Sequence, residues 1–234
     1  MNVHPRSVRL IACLVAVVAG CAPSTVASPT PAASPTPAVT SPPVVVSPAP
    51  SAPGAVLEEF EVTDGPLLAG TYTRTGFRPP IIVVLDGTWR APGVEDRVIW
   101  LQDGPDGPDA VTVQIVRPDW AYAPGAIAVQ DLDAELALDT IRAHELLVEI
   151  EASASRIGGL TGLQMTVENT SKDDAWILHA PSGDLKVPAG RRSWIASFDS
   201  PDGLVMVLVG GPVTGWDDAL QIAEPLLESI AFGP

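Results

Sequence analysis

Cys21 is the residue whose neighbours most clearly indicate a chemistry. Its thiolate is the strongest side-chain nucleophile available for attaching a diacylglyceryl group. The small residues Ala19 and Gly20 come directly before it, as a peptidase pocket requires. A basic start and an apolar run over residues 10–18 precede these small residues, which is the order of a secretory signal, and the run is too short to cross a bilayer as a helix. The sequence therefore predicts cleavage before Cys21 and acylation of its thiol.

The tetrapeptide Val18-Ala19-Gly20-Cys21 resembles the bacterial lipoprotein signal, which reads Leu or Val, a small residue, Gly or Ala, and Cys. The resemblance implies that residues 1–20 are removed and that Cys21 carries the lipid anchor. It implies a protein held at the cell membrane on its extracytoplasmic face, because two or three acyl chains give stable attachment. A plain signal peptide with a chance cysteine and a short membrane anchor are the alternatives.

The composition of residues 21–56 predicts a linker. Residues 22–54 are almost entirely Pro, Ala, Ser, Thr and Val, and none of them is charged. Such a stretch buries too little apolar surface to offset chain entropy, and its proline density favours an extended, semi-rigid spacer. We expect a disordered linker that holds the domain away from the bilayer, either unmodified or O-glycosylated.

The charge of the chain restricts its partners. Removal of the signal leaves 11 basic residues against 28 acidic ones, a formal charge of −17. This balance argues against nucleic acid and against anionic headgroups, since both require clustered Lys and Arg. The partners that we expect are the membrane, through Cys21, and a cell-wall component, an envelope protein or a hydrophobic ligand. We expect a monomer.

Histidine and serine are the candidates for hydrolytic chemistry. Only His144 and His179 remain after cleavage, and His179-Ala-Pro-Ser182 brings a serine close to a histidine in the sequence. The chain has no Gly-x-Ser-x-Gly and no His-Glu-x-x-His. The sequence therefore favours a binding or scaffold module without catalytic residues, cofactor or metal. An extracytoplasmic hydrolase that uses His144 or His179, and a transporter's substrate-binding lipoprotein, are the alternatives.

Three aspartates between Asp103 and Asp109 suggest a calcium loop. Calcium loops of the EF-hand kind place acids two residues apart and close with a glutamate. The spacing here is three, with proline between the acids. A Gly/Pro turn between two strands is therefore the better interpretation.

Period-two and continuous apolar runs predict a domain over residues 57–234 that is rich in strands. Asp86-Gly87, Gly158-Gly159 and Asp202-Gly203 supply turns between the runs. The predicted strands lie at 72–77, 81–85, 98–101, 111–116, 147–151, 163–167, 176–179, 185–187, 193–198 and 204–209.

Two amphipathic stretches predict helices. The first opens at Asp131 or Asp133 and carries an apolar stripe toward Leu147. The second follows a possible capping box from Thr214 to Asp217, and Pro225 is expected to kink it. The fold class is therefore α+β, an antiparallel β-sheet flanked by two main helices.

The order of these motifs from Gly70 to Phe232 resembles exported lipoproteins of actinobacteria with a PsbP-like α/β/α sandwich. The shared motifs are the Asp-Gly-x-Trp at Asp86, the Gly-Gly-Leu-x-Gly-Leu at Gly158, and the final Ser229-Ile-Ala-Phe232. They are turn and core residues, so the resemblance implies a fold and no activity.

Six tryptophans could line a cleft between the sheet and a helix for a hydrophobic or cell-wall ligand: Trp89, Trp100, Trp120, Trp176, Trp194 and Trp216. Trp120 and Tyr122 stand in a Pro/Ala-rich stretch that reads as a loop. They are the best candidates for an exposed aromatic pair that contacts a ligand.

Overall fold

The computed structural model describes residues 57–63 and 65–233, so Cys21 and the predicted signal and linker lie outside the described residues. The described residues form fifteen strands and two helices. In chain order these are β1 (Leu57–Glu59), β2 (Gly70–Arg74), β3 (Ile81–Leu85), β4 (Trp89–Val94), β5 (Val98–Asp103), β6 (Val111–Val116), β7 (Trp120–Ala123), β8 (Ile127–Val129), α1 (Ala134–Arg142), β9 (Leu147–Ile157), β10 (Leu160–Asn169), β11 (Ala175–Ala180), β12 (Gly183–Val187), β13 (Arg191–Ser200), β14 (Gly203–Pro212), α2 (Trp216–Ser229) and β15 (Ala231–Phe232).

A seven-stranded sheet forms the centre of the domain, in the order β4-β5-β6-β14-β13-β10-β9. Every neighbouring pair in it is antiparallel, as the sequence predicts. Two of its hairpins turn at predicted glycines, β9–β10 at Gly158-Gly159 and β13–β14 at Gly203, whose φ of 107° favours glycine.

Strand β14 contributes side chains to two hydrophobic cores, one on each face of the central sheet. Its run of apolar residues from Leu204 to Val209 is buried throughout. Val205, Val207 and Val209 belong to the core under α2, on what we name the α2 face. The alternate residues Leu204, Met206 and Leu208 belong to the core under α1, on the α1 face. A continuous apolar run is what a strand needs when both of its faces are covered.

The α2 face is covered by helix α2 and by a small sheet in the order β1-β2-β3-β15. Phe60, Phe77 and Phe198 are the largest fully buried side chains in this layer. Each such ring contributes roughly 1.5–3 kcal/mol through removal of apolar surface from water.

The α1 face is covered by helix α1 and by a second small sheet in the order β12-β11-β7-β8. Ile141 from the helix, Met165 from the central sheet and Ile177 from β11 are fully buried here. Each face of the central sheet therefore carries one helix, which confirms the predicted α+β class with two flanking helices.

The two helices begin differently. Asp133 caps α1, and its carboxylate accepts a hydrogen bond from the Leu136 backbone N–H at 2.7 Å, as predicted. The capping box predicted for α2 is wrong, because its N-cap is Gly215, with a φ of 82° and no side-chain hydrogen bond. Leu147 begins β9 and does not extend the stripe of α1.

The stretch around Trp120 is a strand, so its prediction as a loop is wrong. Trp-Ala-Tyr-Ala has the period-two pattern of β7, in which Ala121 is fully buried. The flanking prolines at 118 and 124 hid this pattern. Among the described residues, neither helix has the length and apolar character that a membrane span requires.

Candidate functional site

A cleft of about 580 Å³ opens where the second small sheet leaves the α1 face of the central sheet uncovered. Its floor comes from β4, β5, β6, β14 and β13, and β12 forms one wall. Helix α1 contributes no residue to it. The cleft therefore lies between two sheets, whereas the sequence predicts a cleft between the sheet and a helix.

A row of polar residues crosses four strands of the floor. The strand registers place Gln102 opposite Thr112, Thr112 opposite Gly210, and Gly210 opposite Ser193. Residues directly opposite one another in an antiparallel sheet share a face and lie close together. We name these four residues the polar row.

Gly210 leaves a hollow in the polar row. A Cβ at this position would lie 2.7 Å from Thr112 Oγ1 and 3.9 Å from Ser193 Oγ. Any larger residue would therefore fill the space between the two hydroxyl groups.

Several polar groups of the floor lack protein partners. Ser193 is only 5% exposed and its hydroxyl makes no hydrogen bond among the described residues. The half-buried Gln114 side chain also makes no hydrogen bond in the described part of the chain. Gln102 donates its amide to Asp106 Oδ1 at 3.1 Å, and its carbonyl oxygen accepts no bond from the described residues. Buried polar groups in proteins almost always have a partner, so these groups are suited to a ligand or to water.

Trp100 supplies an apolar surface beside the polar row. Trp100 is paired with Gly93 of β4 on one side and with Gln114 of β6 on the other. Gln114 is in turn paired with Leu208 of β14. A Cβ at Gly93 would lie 3.6 Å from the Trp100 side chain, an ordinary van der Waals distance, so Gly93 packs beside the indole. Trp100 is 38% exposed and lines the cleft.

Two arginines fix the loop at one end of the cleft. Arg191 donates to the carbonyl oxygens of Gly107, Pro108 and Ala110, and its burial lowers the pKa of the guanidinium. Arg90 donates to Asp106 Oδ1 at 2.6 Å, and this bond is the main reason that the pKa of Asp106 lies below its usual value. The aspartate-rich stretch is thus a turn between β5 and β6, as predicted.

Asp184 connects the cleft wall to the aromatic residues singled out by the sequence. Its Oδ1 lies 2.6 Å from His179 Nδ1 and accepts a hydrogen bond from the Tyr122 hydroxyl at 2.7 Å. The bond with His179 is the largest cause of the lowered pKa of Asp184. The bond with Asp184 in turn raises the pKa of Tyr122.

Trp120 stacks on the His179 ring, with the ring centroids 3.8 Å apart and the planes 9° from parallel. Trp120 and Tyr122 are both half-buried, and neither lines the cleft, which they reach only through Asp184. Their role as ligand contacts stays a prediction.

The comparisons with known proteins give likeness of structure and no likeness of sequence. No model of a known protein family matches the chain. No curated protein sequence matches it either. Among solved structures, the chain is similar to cyanobacterial PsbP (CyanoP) from Synechocystis sp. PCC 6803, with a TM-score of 0.42 and 11% identity over 74% of this chain and 98% of that one.

LpqN, described as involved in cell envelope biogenesis of Mycobacterium tuberculosis, is also similar. Its TM-score is 0.39, with 13% identity over 66% of this chain and 83% of LpqN. The PsbP-like domain that the sequence resembles is thus among the solved structures similar to this chain. The order and pairing of the strands are defined by hydrogen bonds within this chain.

The two histidines lie in different surroundings. His144 follows α1, its Nδ1 accepts a bond from the Leu146 backbone N–H, and burial lowers its pKa. His179 pairs with Asp184, and a catalytic histidine is oriented by an acid in the same way. Within the described part of the chain, no serine is hydrogen-bonded to either histidine. Ser182, three residues after His179, lines the cleft without a hydrogen bond.

Two further features complete the description. Within residues 57–63 and 65–233, no three side chains of the His, Cys, Asp and Glu types are grouped as a metal site requires. Asn169, which begins the glycosylation sequon Asn-Thr-Ser, is fully buried, and its amide donates to the carbonyl oxygens of Asp173 and Val187. Asn169 therefore closes a turn and is inaccessible to a glycosyl transferase in the folded chain.

Sequence reasoning missed the floor of the cleft. Its residues alternate with apolar ones along β5 and β6, which is also the pattern of an ordinary solvent-exposed strand face. The signal that could have found them is the pairing of Trp100 with two glutamines and a threonine at successive alternate positions.

Proposed function

We propose that this chain is an extracytoplasmic lipoprotein, anchored to the cell membrane through Cys21, whose domain binds a ligand in the cleft without catalysing a reaction. The observation that carries the proposal is the polar row, in which Ser193 is 5% exposed, its hydroxyl makes no hydrogen bond among the described residues, and Gly210 leaves a hollow. Convergent polar groups in a concave site are the usual mark of ligand binding.

The charges at the cleft indicate an uncharged ligand. Arg191 is occupied by three carbonyl oxygens, Asp106 by Arg90, and Lys186 by Asp174 at 2.5 Å. Exposed Glu95 also lines the cleft and has no ion pair among the described residues. The floor itself offers amides and hydroxyls beside the Trp100 ring. A polyhydroxylated ring with one apolar face satisfies both, so a neutral cell-wall glycan fits the cleft best.

The anchor follows from the N-terminal motif and from the charge of the domain. A domain with a formal charge of −17 after cleavage is repelled by anionic headgroups, so it needs a covalent tether to stay at the membrane. The Pro-rich linker would allow the cleft to reach cell-wall material, at about 3.1 Å per residue when extended.

A hydrolase is the second candidate, and the His179–Asp184 pair is the observation that favours it. This proposal requires His179 Nε2 to activate a water or a serine. Trp120 covers one face of the His179 ring at 3.8 Å, and no nucleophile is hydrogen-bonded to it among the described residues, so the geometry supports binding better.

Mass spectrometry tests the anchor. Chain purified from membranes is expected to begin at acylated Cys21, and a Cys21→Ala variant is expected to lose the lipid and the mature N-terminus. An unmodified N-terminus at any other residue would overturn the anchored placement.

A glycan array tests the binding. The full chain in detergent is expected to bind uncharged cell-wall glycans and to leave them intact. Failure to retain any uncharged glycan would overturn the proposed ligand class, and release of shorter products would favour the hydrolase.

A further inference from the structure

The central sheet has one covered edge and one open edge. Along β4, backbone N–H groups of the preceding segment bond to the strand, from Thr63 to Ala91 O at 3.0 Å and from Leu67 to Trp89 O at 2.7 Å. At the other edge, β9 itself pairs only with β10 among the described residues, and a single parallel bridge joins Gly158, directly after the strand, to Ala231. Strand β9 is therefore a candidate for pairing with another strand.

The exposure of β9 extends over nearly its whole length. It is the longest strand, with 11 residues, and residues 148–154 are all exposed. Val148 and Ile150 are 51% and 49% exposed, although both are apolar. An exposed edge of this length is one that proteins usually protect against pairing.

Only the first half of β9 carries such protection. The register with β10 shifts by one residue at Ile150, which makes a β-bulge, and acids flank it at Glu149 and Glu151. Residues 152–155 are Ala-Ser-Ala-Ser, regular in register and without proline, lysine or bulge. Pairing is therefore open at the second half of the strand.

The side chains of β9 suit antiparallel pairing with a second β9. Ala152, Ala154 and Arg156 lie opposite Met165, Leu163 and Thr161 of β10, which places them on the α1 face. Across the bulge, Glu149 lies opposite Val167 and shares this face. Its Oε2 accepts a hydrogen bond from Arg142 Nε of helix α1, which leaves Oε1 for a second donor.

A two-fold axis at Ala154 would place Arg156 of one copy opposite Ala152 of the other. The next residue on that face is Glu149, a diagonal neighbour within reach of a long side chain. Two Arg156–Glu149 contacts of opposite charge would then form, one on each side of the axis.

We propose that two copies of this chain pair antiparallel along β9, centred on Ala154, and join their central sheets into one. The small residues 152–155 allow the two backbones to approach, and the acid–base pairs at the ends of the contact fix the register. This interface is independent of the cleft and of the lipid on Cys21. A dimer of this kind would differ from the monomer expected from the sequence.

Cysteine cross-linking of the full chain in membranes tests the register. Ala154→Cys would place two thiols on the axis, within the Cα separation of about 4.4–6.8 Å that a disulfide requires. Ala152→Cys is the matched control, because the residue is equally exposed and lies on the same face. Its two copies would be about 14 Å apart along the strands at 3.4 Å per residue, which is too far for a disulfide. The parent chain, whose cysteines are Cys13 and Cys21 alone, reports any background.

After mild oxidation we expect roughly tenfold more covalent dimer from Ala154→Cys than from Ala152→Cys, because disulfide geometry is selective for distance. Arg156→Glu, added to Ala154→Cys, should lower the yield severalfold, and Arg156→Lys should preserve it. Equal dimer from both cysteine positions, no dimer from either, or a covalent adduct with a different protein would each overturn the proposal. An unchanged melting temperature of the reduced variants shows that they are folded.

Discussion

Thr112 lies directly opposite Gly210 in the pairing of β6 with β14, and a Cβ placed on Gly210 would come within 2.7 Å of the Thr112 hydroxyl oxygen. The two residues thus share one space on the floor of the cleft. Glycine keeps that space open, and we take it to be where a ligand group sits between the hydroxyls of Thr112 and Ser193.

Gly210→Ala is expected to weaken ligand binding by about tenfold, since the methyl group fills the hollow and one lost hydrogen bond is worth about 1 kcal/mol. Gly211→Ala is the matched control. Its Cβ would meet Ala219 Cβ of α2 at 2.8 Å on the opposite face, so it should lower the free energy of unfolding by about 1–3 kcal/mol. Calorimetric titration with a glycan retained on the array measures binding for both. If the control loses affinity as strongly as Gly210→Ala, the hollow has no specific role.

Trp100→Ala is expected to weaken binding by about tenfold to a hundredfold, because aromatic residues dominate the contacts of such sites. Trp176→Ala is a suitable control, since Trp176 is 45% exposed, lies outside the cleft and packs under Lys186 at 4.9 Å. The measurement is the dissociation constant of each variant for the same glycan. Equal affinities in both would exclude Trp100 as the apolar platform.

Asp184 is expected to make stability depend on pH. Its pKa is lowered in the folded chain, so its contribution to the free energy of unfolding is present above its unfolded pKa, near 4, and is lost as the pH falls through the lower folded value. Asp184→Asn should therefore lower the melting temperature at neutral pH, with a difference from the parent that shrinks toward about pH 3.

Tyr122→Phe provides the graded comparison, because it removes one of the two bonds to Asp184 and keeps the other. Its melting temperature should fall between those of the parent and Asp184→Asn at neutral pH. A difference between parent and Asp184→Asn that stays constant or grows on acidification would contradict the assigned network.

Asp133→Ala is expected to cost about 0.5–2 kcal/mol of stability, the usual loss for an N-cap carboxylate. Glu135→Ala is the control in the same first turn of α1. It removes only an interaction with the helix dipole, so we expect it to lower the free energy of unfolding by about 0.3–1 kcal/mol. Urea unfolding of both variants provides the measurement. A larger loss for Glu135→Ala than for Asp133→Ala would show that the cap does not stabilise the helix.

Much of the fold could be predicted from local patterns. The run from Leu204 to Val209 and the alternation from Val111 to Val116 identify central strands, because hydrophobic periodicity records which faces are covered. The Asp133 cap was also predictable, since the capping carboxylate acts within one turn of its own residue.

The rest depends on contacts between distant residues. Strand β7 was missed because its short run between prolines becomes a strand only by pairing with β11 and β8. The cleft was missed because its polar row is formed by two hairpins, β5–β6 and β13–β14, that are far apart in sequence. Which part of a sheet face stays uncovered is decided by the neighbouring layer, and no local pattern records it.

The most direct test of the account is to locate the bound ligand by NMR of the tryptophan indole N–H groups. The chain has six tryptophans, so six signals are expected, and replacement of each by phenylalanine assigns them. During titration of the ¹⁵N-labelled full chain in detergent with a glycan retained on the array, the Trp100 signal should shift. The signals of Trp89 in the α2-face core and of Trp194 on the α2 face should stay in place. Shifts centred on Trp194 with an unmoved Trp100 signal would contradict binding in the cleft.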